Sequence, residues 1–168
     1  MIQLAILSDT HGKHQTVETV LEYLQSRNIN RIIHCGDIDD SETVWLFQCF
    51  TVDFVFGHCD VDRLSLQQAM HGIGVTCHQP FGHLELEGKK LAFLHSDDAR
   101  LMRDLEQSDF DYLFYGHTHV AKEHQVGETR VINPGALHRA NPRSFLILDL
   151  PSGDVERVSF EQIEHLEL

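Results

Sequence analysis

A chain of 168 residues, 42% hydrophobic and 23% charged, has the length and composition of one globular domain with a sizeable core. Its formal net charge of −13 argues against non-specific binding to nucleic acid or to an anionic membrane, both of which need basic surface. That charge would also repel a phosphorylated substrate unless a local cation offsets it, and the thirteen histidines are the commonest metal-ligand type.

The first predicted element is the apolar run IQLAIL (2–7), of strand length. It has no basic flank and no small-residue cleavage site, so a signal peptide is not expected. No apolar stretch reaches membrane-spanning length. Residues 15–27 place Val17, Val20, Leu21 and Leu24 on one helical face. RIIHC (31–35) reads as a strand, ETVWLFQCF (42–50) as a helix and VDFVF (52–56) as a strand. Such alternation predicts βαβ units and a mostly parallel sheet. HLELEG (83–88) and KKLAFLH (89–95) predict a hairpin turning near Glu87-Gly88. A short helix is expected over 98–107 and a strand over 112–116. KEHQV, TRVIN, SFLILDL and DVERVSF then give four strand-like runs. One open sheet cannot absorb them all, so the expected fold is α+β, a two-sheet mixed β-sandwich flanked by helices in α/β/β/α layers and forming one domain over 1–168. The four cysteines, Cys35, Cys49, Cys59 and Cys77, form no CxxC pair. Free thiols and a reduced cytoplasmic compartment are expected, without a structural zinc site.

Polar residues cluster where these strands end. IQLAIL runs into Ser8-Asp9-Thr10-His11-Gly12, RIIHC into Gly36-Asp37, and VDFVF into Gly57-His58-Cys59-Asp60. KKLAFL runs into His95-Ser96-Asp97, and YLFY into Gly116-His117-Thr118-His119. Sites in open α/β sheets form at the carboxyl ends of strands. Asp9, His11, Asp37, His58, His95, His117 and His119 would then converge. Without cations these groups would repel and lie unsatisfied once desolvated. Two divalent ions about 3.5–4 Å apart, bridged by one carboxylate and a water, resolve the conflict and suit in-line displacement at phosphorus. The mixed N/O donor set favours Mn, Fe, Zn or Ni over Mg or Ca.

SDTHG, GD, a G-x-x-D turn, a lone histidine after a strand, GHTH and NPG, in that order, resemble the calcineurin-like metallophosphoesterase superfamily, and the tight spacing resembles its small bacterial and archaeal phosphodiesterase branch. The resemblance implies the two-sheet fold and hydrolysis of a phosphodiester or other phosphate ester by a hydroxide bridging two metals. It implies that Asp9, His11 and His119 hold the first ion. His95 and His117 would hold the second, and Asp37 would bridge the two. The turn after the third strand usually reads G-N-C-D in this branch, with asparagine as a ligand; here His58 replaces it. His58 is then either a ligand or a general acid. Asp60 is expected to orient a ligand histidine. Asp97, a candidate catalytic residue, occupies the place of a second histidine often found two residues beyond His95 in this branch, the position of the usual proton donor.

Other polar residues carry plainer expectations. Asp39, Asp40 and Ser41 read as caps of the following helix. Cys59 reads as packing, Arg139 and Arg143 as surface cations. Asn133-Pro134-Gly135 could shape the site rim or simply turn the chain. The remaining histidines are not expected to be ligands, although His34 lies next to the site. A competing function is a protein-binding scaffold, because one retromer subunit of similar fold has lost its ligands. A weaker alternative is redox or metal sensing through Cys35 and Cys59. The substrate partner is expected to be a phosphorylated small molecule or a phosphodiester, with no membrane partner; homo-oligomerisation is left open.

Overall fold

In the computed structural model, which describes residues 2–166, the strands in chain order are β1 (Gln3–Leu7), β2 (Arg31–His34), β3 (Thr51–Val55), β4 (Cys77–His78), β5 (Gly82–Leu86), β6 (Lys89–Leu94), β7 (Tyr112–Tyr115), β8 (Lys122–Val126), β9 (Thr129–Asn133), β10 (Ser144–Asp149) and β11 (Val155–Ser159). The helices are α1 (His14–Ser26), α2 (Ser41–Leu46), α3 (Arg63–Gly72), α4 (Ala99–Glu106) and α5 (Phe160–Ile163).

Period-two alternation decides which layer each side chain enters. Leu4 and Ile6 of β1 enter the layer between two sheets, while Ala5 and Leu7 face the helices on the other side. All four are fully buried, which requires a sheet covered on both faces. The first sheet has the order β11-β10-β1-β2-β3-β4 and the second β5-β6-β7-β9-β8. The inner layer packs Ile33, Val55, Leu146 and Leu148 against Leu91, Phe93, Phe114 and Ile132. Val17, Val20, Leu21 and Leu24 of α1 cover the outer face of the first sheet, together with Val44, Leu66 and Met70 from α2 and α3. Leu101, Met102 and Leu105 of α4 cover the second through Leu94, Leu113 and Tyr115. The layers are therefore helix, sheet, sheet, helix, as expected.

Strand direction positions the site. β1, β2 and β3 run parallel in one sheet, and β6, β7 and β9 in the other. The sheets are tied together at the carboxyl ends of these strands: the His117 amide donates to the Asp9 carboxylate, and His95 Nδ1 lies 2.9 Å from the Cys35 carbonyl. The hairpin between β5 and β6 turns at Glu87 and Gly88, both in the left-handed region at φ +50° and +72°, as a two-residue type I′ turn requires.

Three local differences from the sequence expectation have physical reasons. Helix α3 was not expected; only Leu66, Ala69 and Met70 are buried in it, too thin a stripe to read against its polar residues. The helix expected over 42–50 ends at Leu46 and tightens into a 3₁₀ turn over Phe47–Cys49. The last strand stops at Ser159, where a capping box with Gln162 starts α5 at Phe160.

Phe114 is fully buried between the sheets. Phe114→Ala is expected to cost about 3–5 kcal/mol. Urea titration would show this as a lower midpoint at unchanged slope.

Candidate metal centre

The loops that follow the parallel strands hold the candidate residues in unusual backbone. Asp9, His11, Asp37, His117 and His119 all have positive φ, between +47° and +70°. Each such residue costs of order 1–3 kcal/mol, so the surroundings must hold it in place. Backbone bonds do part of this. The amides of Asp9, His11 and Gly12 donate to the carbonyls of Gly36, Asp37 and Ile38 at 3.0, 3.1 and 3.0 Å. Two glycines make room: a Cβ at Gly57 would overlap the Asp37 carboxylate, and one at Gly116 would overlap the Ser8 hydroxyl.

Asp60 does the rest. Its Oδ1 accepts the amides of Ile38 and Asp39 at 2.7 and 2.8 Å, and its Oδ2 those of Gly57 and Asp37 at 2.7 and 3.0 Å. The expectation that Asp60 orients a histidine is therefore corrected. Both oxygens are used by four backbone donors, and the residue shapes the Asp37 loop instead. Burial pushes its carboxyl up, against the pull of those amides. Four N–H donors with no facing acceptor require both oxygens to accept, so the group works as a carboxylate.

Each inward carboxylate has one oxygen held and one left open. Asp9 Oδ2 accepts from the Ser8 hydroxyl at 2.6 Å and the His117 amide at 3.1 Å. Asp37 Oδ1 accepts from the Cys59 amide at 2.9 Å. Asp9 Oδ1 and Asp37 Oδ2 are buried without a hydrogen-bond partner. Imidazoles surround them. His119 Nε2 lies 3.2 Å from Asp9 Oδ1. His58 Nδ1, His95 Nε2 and His11 Nε2 lie 3.2, 3.3 and 3.5 Å from Asp37 Oδ2.

Neighbours fix which nitrogen of two histidines faces inward. His95 Nδ1 meets the Cys35 carbonyl, so it carries the proton and Nε2 presents its lone pair. His11 Nδ1 lies 3.3 Å from Asp39 Oδ2, which leaves Nε2 to the centre. Asp39 is thus not a helix cap: Asp40 alone caps α2, accepting the Thr43 amide at 2.8 Å. His11 Nε2 and His119 Nε2 are 3.4 Å apart, and His58 Nδ1 and His95 Nε2 are 3.1 Å apart. Facing lone pairs at these distances repel unless a proton or cation lies between them.

The ligand-type atoms form four overlapping groups, Asp9-His11-His119, His58-His95-His117, His11-Asp37-Cys59 and Asp9-Asp37-His95, each with its atoms within 4.8 Å of one another. Asp37 touches the first two through His11 on one side and His58 and His95 on the other. Burial pushes Asp37 up, but His95, the Cys59 amide and His58 outweigh it and hold the carboxyl well below the usual range. Burial pushes Asp9 up, more than Ser8 and the histidines pull it down. Burial lowers His95, but Asp37 and Asp9 more than restore it, leaving it raised; His117 is lowered by burial and then by His95 and His58. Two buried carboxylate oxygens without donors, ringed by imidazole lone pairs, fit divalent cations.

Other residues fall into place around this centre. His34 is buried and neutral, pushed down to about 3 by burial and then by His95. Its Nδ1 accepts the Gly36 amide, so Nε2 donates to the Thr10 hydroxyl. Asn133 donates to the Gly116 carbonyl and the Thr118 hydroxyl and accepts from the Gly135 amide, which pins the GHTH loop. Arg143 pairs with Glu161 and Glu164. The Cys59 thiol, 3.4 Å from His58 Nε2, is pushed up to about 11 by burial and by Asp37. Asp97 is exposed on the rim. Ser8 and Asp39 were missed as supports of Asp9 and His11; short polar side chains at loop positions leave no periodic signal.

Residues 2–153 match the calcineurin-like phosphoesterase superfamily domain. The chain belongs to this superfamily, a class of hydrolases acting on phosphoric ester bonds that implies divalent metals. It is similar to a phosphodiesterase of Methanocaldococcus jannaschii, 25% identical over 138 residues, 80% of this chain and 83% of that one. It is also similar to the probable metallophosphoesterase YsnB of Bacillus subtilis, 27% identical over 167 residues, 95% of this chain and 90% of that one. A solved archaeal phosphodiesterase superposes with TM-score 0.85 at 23% identity, covering 94% of this chain and 99% of that one.

Asp60→Asn replaces one of the two acceptor oxygens with an amide that faces N–H donors. A loss of about 1–3 kcal/mol per orphaned donor is expected in urea unfolding. Metal affinity should fall roughly 10–100-fold, as for other supports of ligands.

Proposed function

We propose that the chain is a metal-dependent phosphodiesterase. In this reading Asp9, His11 and His119 hold one divalent ion, His58, His95 and His117 hold a second, and Asp37 reaches both. The observation that carries it is the pair of buried, donorless oxygens, Asp9 Oδ1 and Asp37 Oδ2, among inward imidazole nitrogens. When bound, divalent ions supply Lewis acidity, activating water for attack at phosphorus and balancing charge on the phosphoryl oxygens.

The chain's own residues set the rest. The Cys35 carbonyl and Asp39 hold His95 and His11 with a nitrogen lone pair aimed inward. Asp60 and Gly57 hold Asp37 against its strained backbone. His58 directs Nδ1 at Asp37 and His95 and turns Nε2 toward Cys59, which supports a ligand role through Nδ1. An imidazole there is softer than an amide oxygen and favours Zn, Fe or Ni over Mg. Cys59 lies beside His58 and Asp37, and burial and the nearby carboxylates push its thiol up to about 11. Asp97 is exposed and has no hydrogen-bond partner among the described residues, so in this reading it is not a positioned proton donor. Diesters with acidic leaving groups should react fastest.

His58→Asn and a series of aryl phosphodiesters test this. Retained hydrolysis with metal preference moved toward Mg is expected. A selective loss of about 10²-fold or more on poor leaving groups, at unchanged metal content, would make His58 the general acid. A flat dependence on leaving-group pKa would overturn the missing-acid account. A protein inert toward every diester with added Mn would instead be a scaffold.

A further inference from the structure

A cavity of about 220 Å³ opens beside His95, whose ring forms part of its wall. Whole small-molecule ligands occupy pockets of about 300 Å³ or more, so this one is sized for a single substituent. Phe56, Leu94 and Leu101 give it apolar walls. Arg63 is the one arginine or lysine lining it, and Asp97 and Asp98 line it too. Asp98 is engaged in capping α4 through the amides of Arg100 and Leu101. Two carboxylates against one guanidinium make the cavity a poor place for a second phosphate.

Arg63 is held as a platform rather than as an ion-pair partner. Its Cζ lies 5.2 Å over the Phe56 ring, and its Nε donates to the Asp60 carbonyl at 3.3 Å. It has no carboxylate partner among the described residues, as is also true of Arg100, Arg103, Arg139 and Arg157, while Arg27, Arg31, Arg130 and Arg143 are all ion-paired. One face of the guanidinium is covered by Phe56, and the residue is exposed, so the other face is open to a ligand. A planar, delocalised cation in that position stacks on aromatic rings.

We propose that this cavity binds one ester substituent of the substrate, a planar uncharged ring, and that Arg63 stacked on Phe56 beside His95 is the specificity-determining residue. The assignment rests on the phosphodiesterase reading, which puts the phosphoryl group against His95 and its neighbours. Apolar walls and the guanidinium face take the ring.

Calorimetric titration of the Mn-loaded protein with phenylphosphonate and with methylphosphonate tests it. The phenyl compound should bind about tenfold tighter, within the range of a partly desolvated cation–π contact. In Arg63→Ala that ratio should fall toward one. Arg63→Lys should not restore it, because an ammonium keeps the charge but lacks the planar face. Equal affinities in the wild type, a preference that survives Arg63→Ala, or its recovery in Arg63→Lys would each overturn the assignment. If neither phosphonate binds, the cavity assignment fails, while the phosphodiesterase reading stands or falls on the aryl phosphodiester series. If both bind alike, only the cavity assignment is lost.

Discussion

Asp9 and Asp37 are fully buried where the two sheets meet, and each leaves one carboxylate oxygen without a donor. Burying a charge without compensation is among the most costly things a fold can do. The surrounding chain does not relieve that cost; it holds the carboxylates in place. Asp60 binds four amides of the loops around Asp37, Gly57 removes the Cβ that would displace it, and Ser8 fixes the far oxygen of Asp9. Asp9, His11, Asp37, Asp39, Ser96, His117 and His119 all sit at positive φ in the loops around the site. Such concentrated strain makes sense where a bound cation returns more than the empty site loses.

Electrostatics explain how an acidic chain can receive an anionic ester. The net charge of −13 is unfavourable for any phosphate at long range. The centre itself presents inward imidazole lone pairs and two carboxylates, and two divalent ions there would reverse the local sign. Binding of substrate then depends on metal loading. The flanking cavity adds one guanidinium without a carboxylate partner rather than a basic patch, which would separate recognition of the substituent from neutralisation of the phosphoryl group.

Much of this was legible in the sequence because the two kinds of order, alternation and strand-end punctuation, are local. Leu4-Ala5-Ile6-Leu7 shows a doubly buried strand, and SDTHG, GD and GHTH mark the strand ends that converge. What remained hidden was tertiary. Asp60 has the same residue type whether it faces a histidine or four amides, and only the packing of the β2 and β3 loops decides between them. Asp39 reads as a helix cap beside Asp40, yet a left-handed φ of +79° turns it toward His11. Helix α3 has too few buried positions to announce itself. His58 was visible as an unusual residue, but the direction of its Nδ1 follows from its distances to Asp37 and His95.

The central claim is that two divalent ions share Asp37. The most direct measurement is anomalous diffraction from crystals grown with Mn. The account predicts two peaks, one among Asp9, His11 and His119 and one among His58, His95 and His117, with Asp37 reaching both. A single peak, or two peaks with the Asp37 carboxylate touching only one of them, would contradict it.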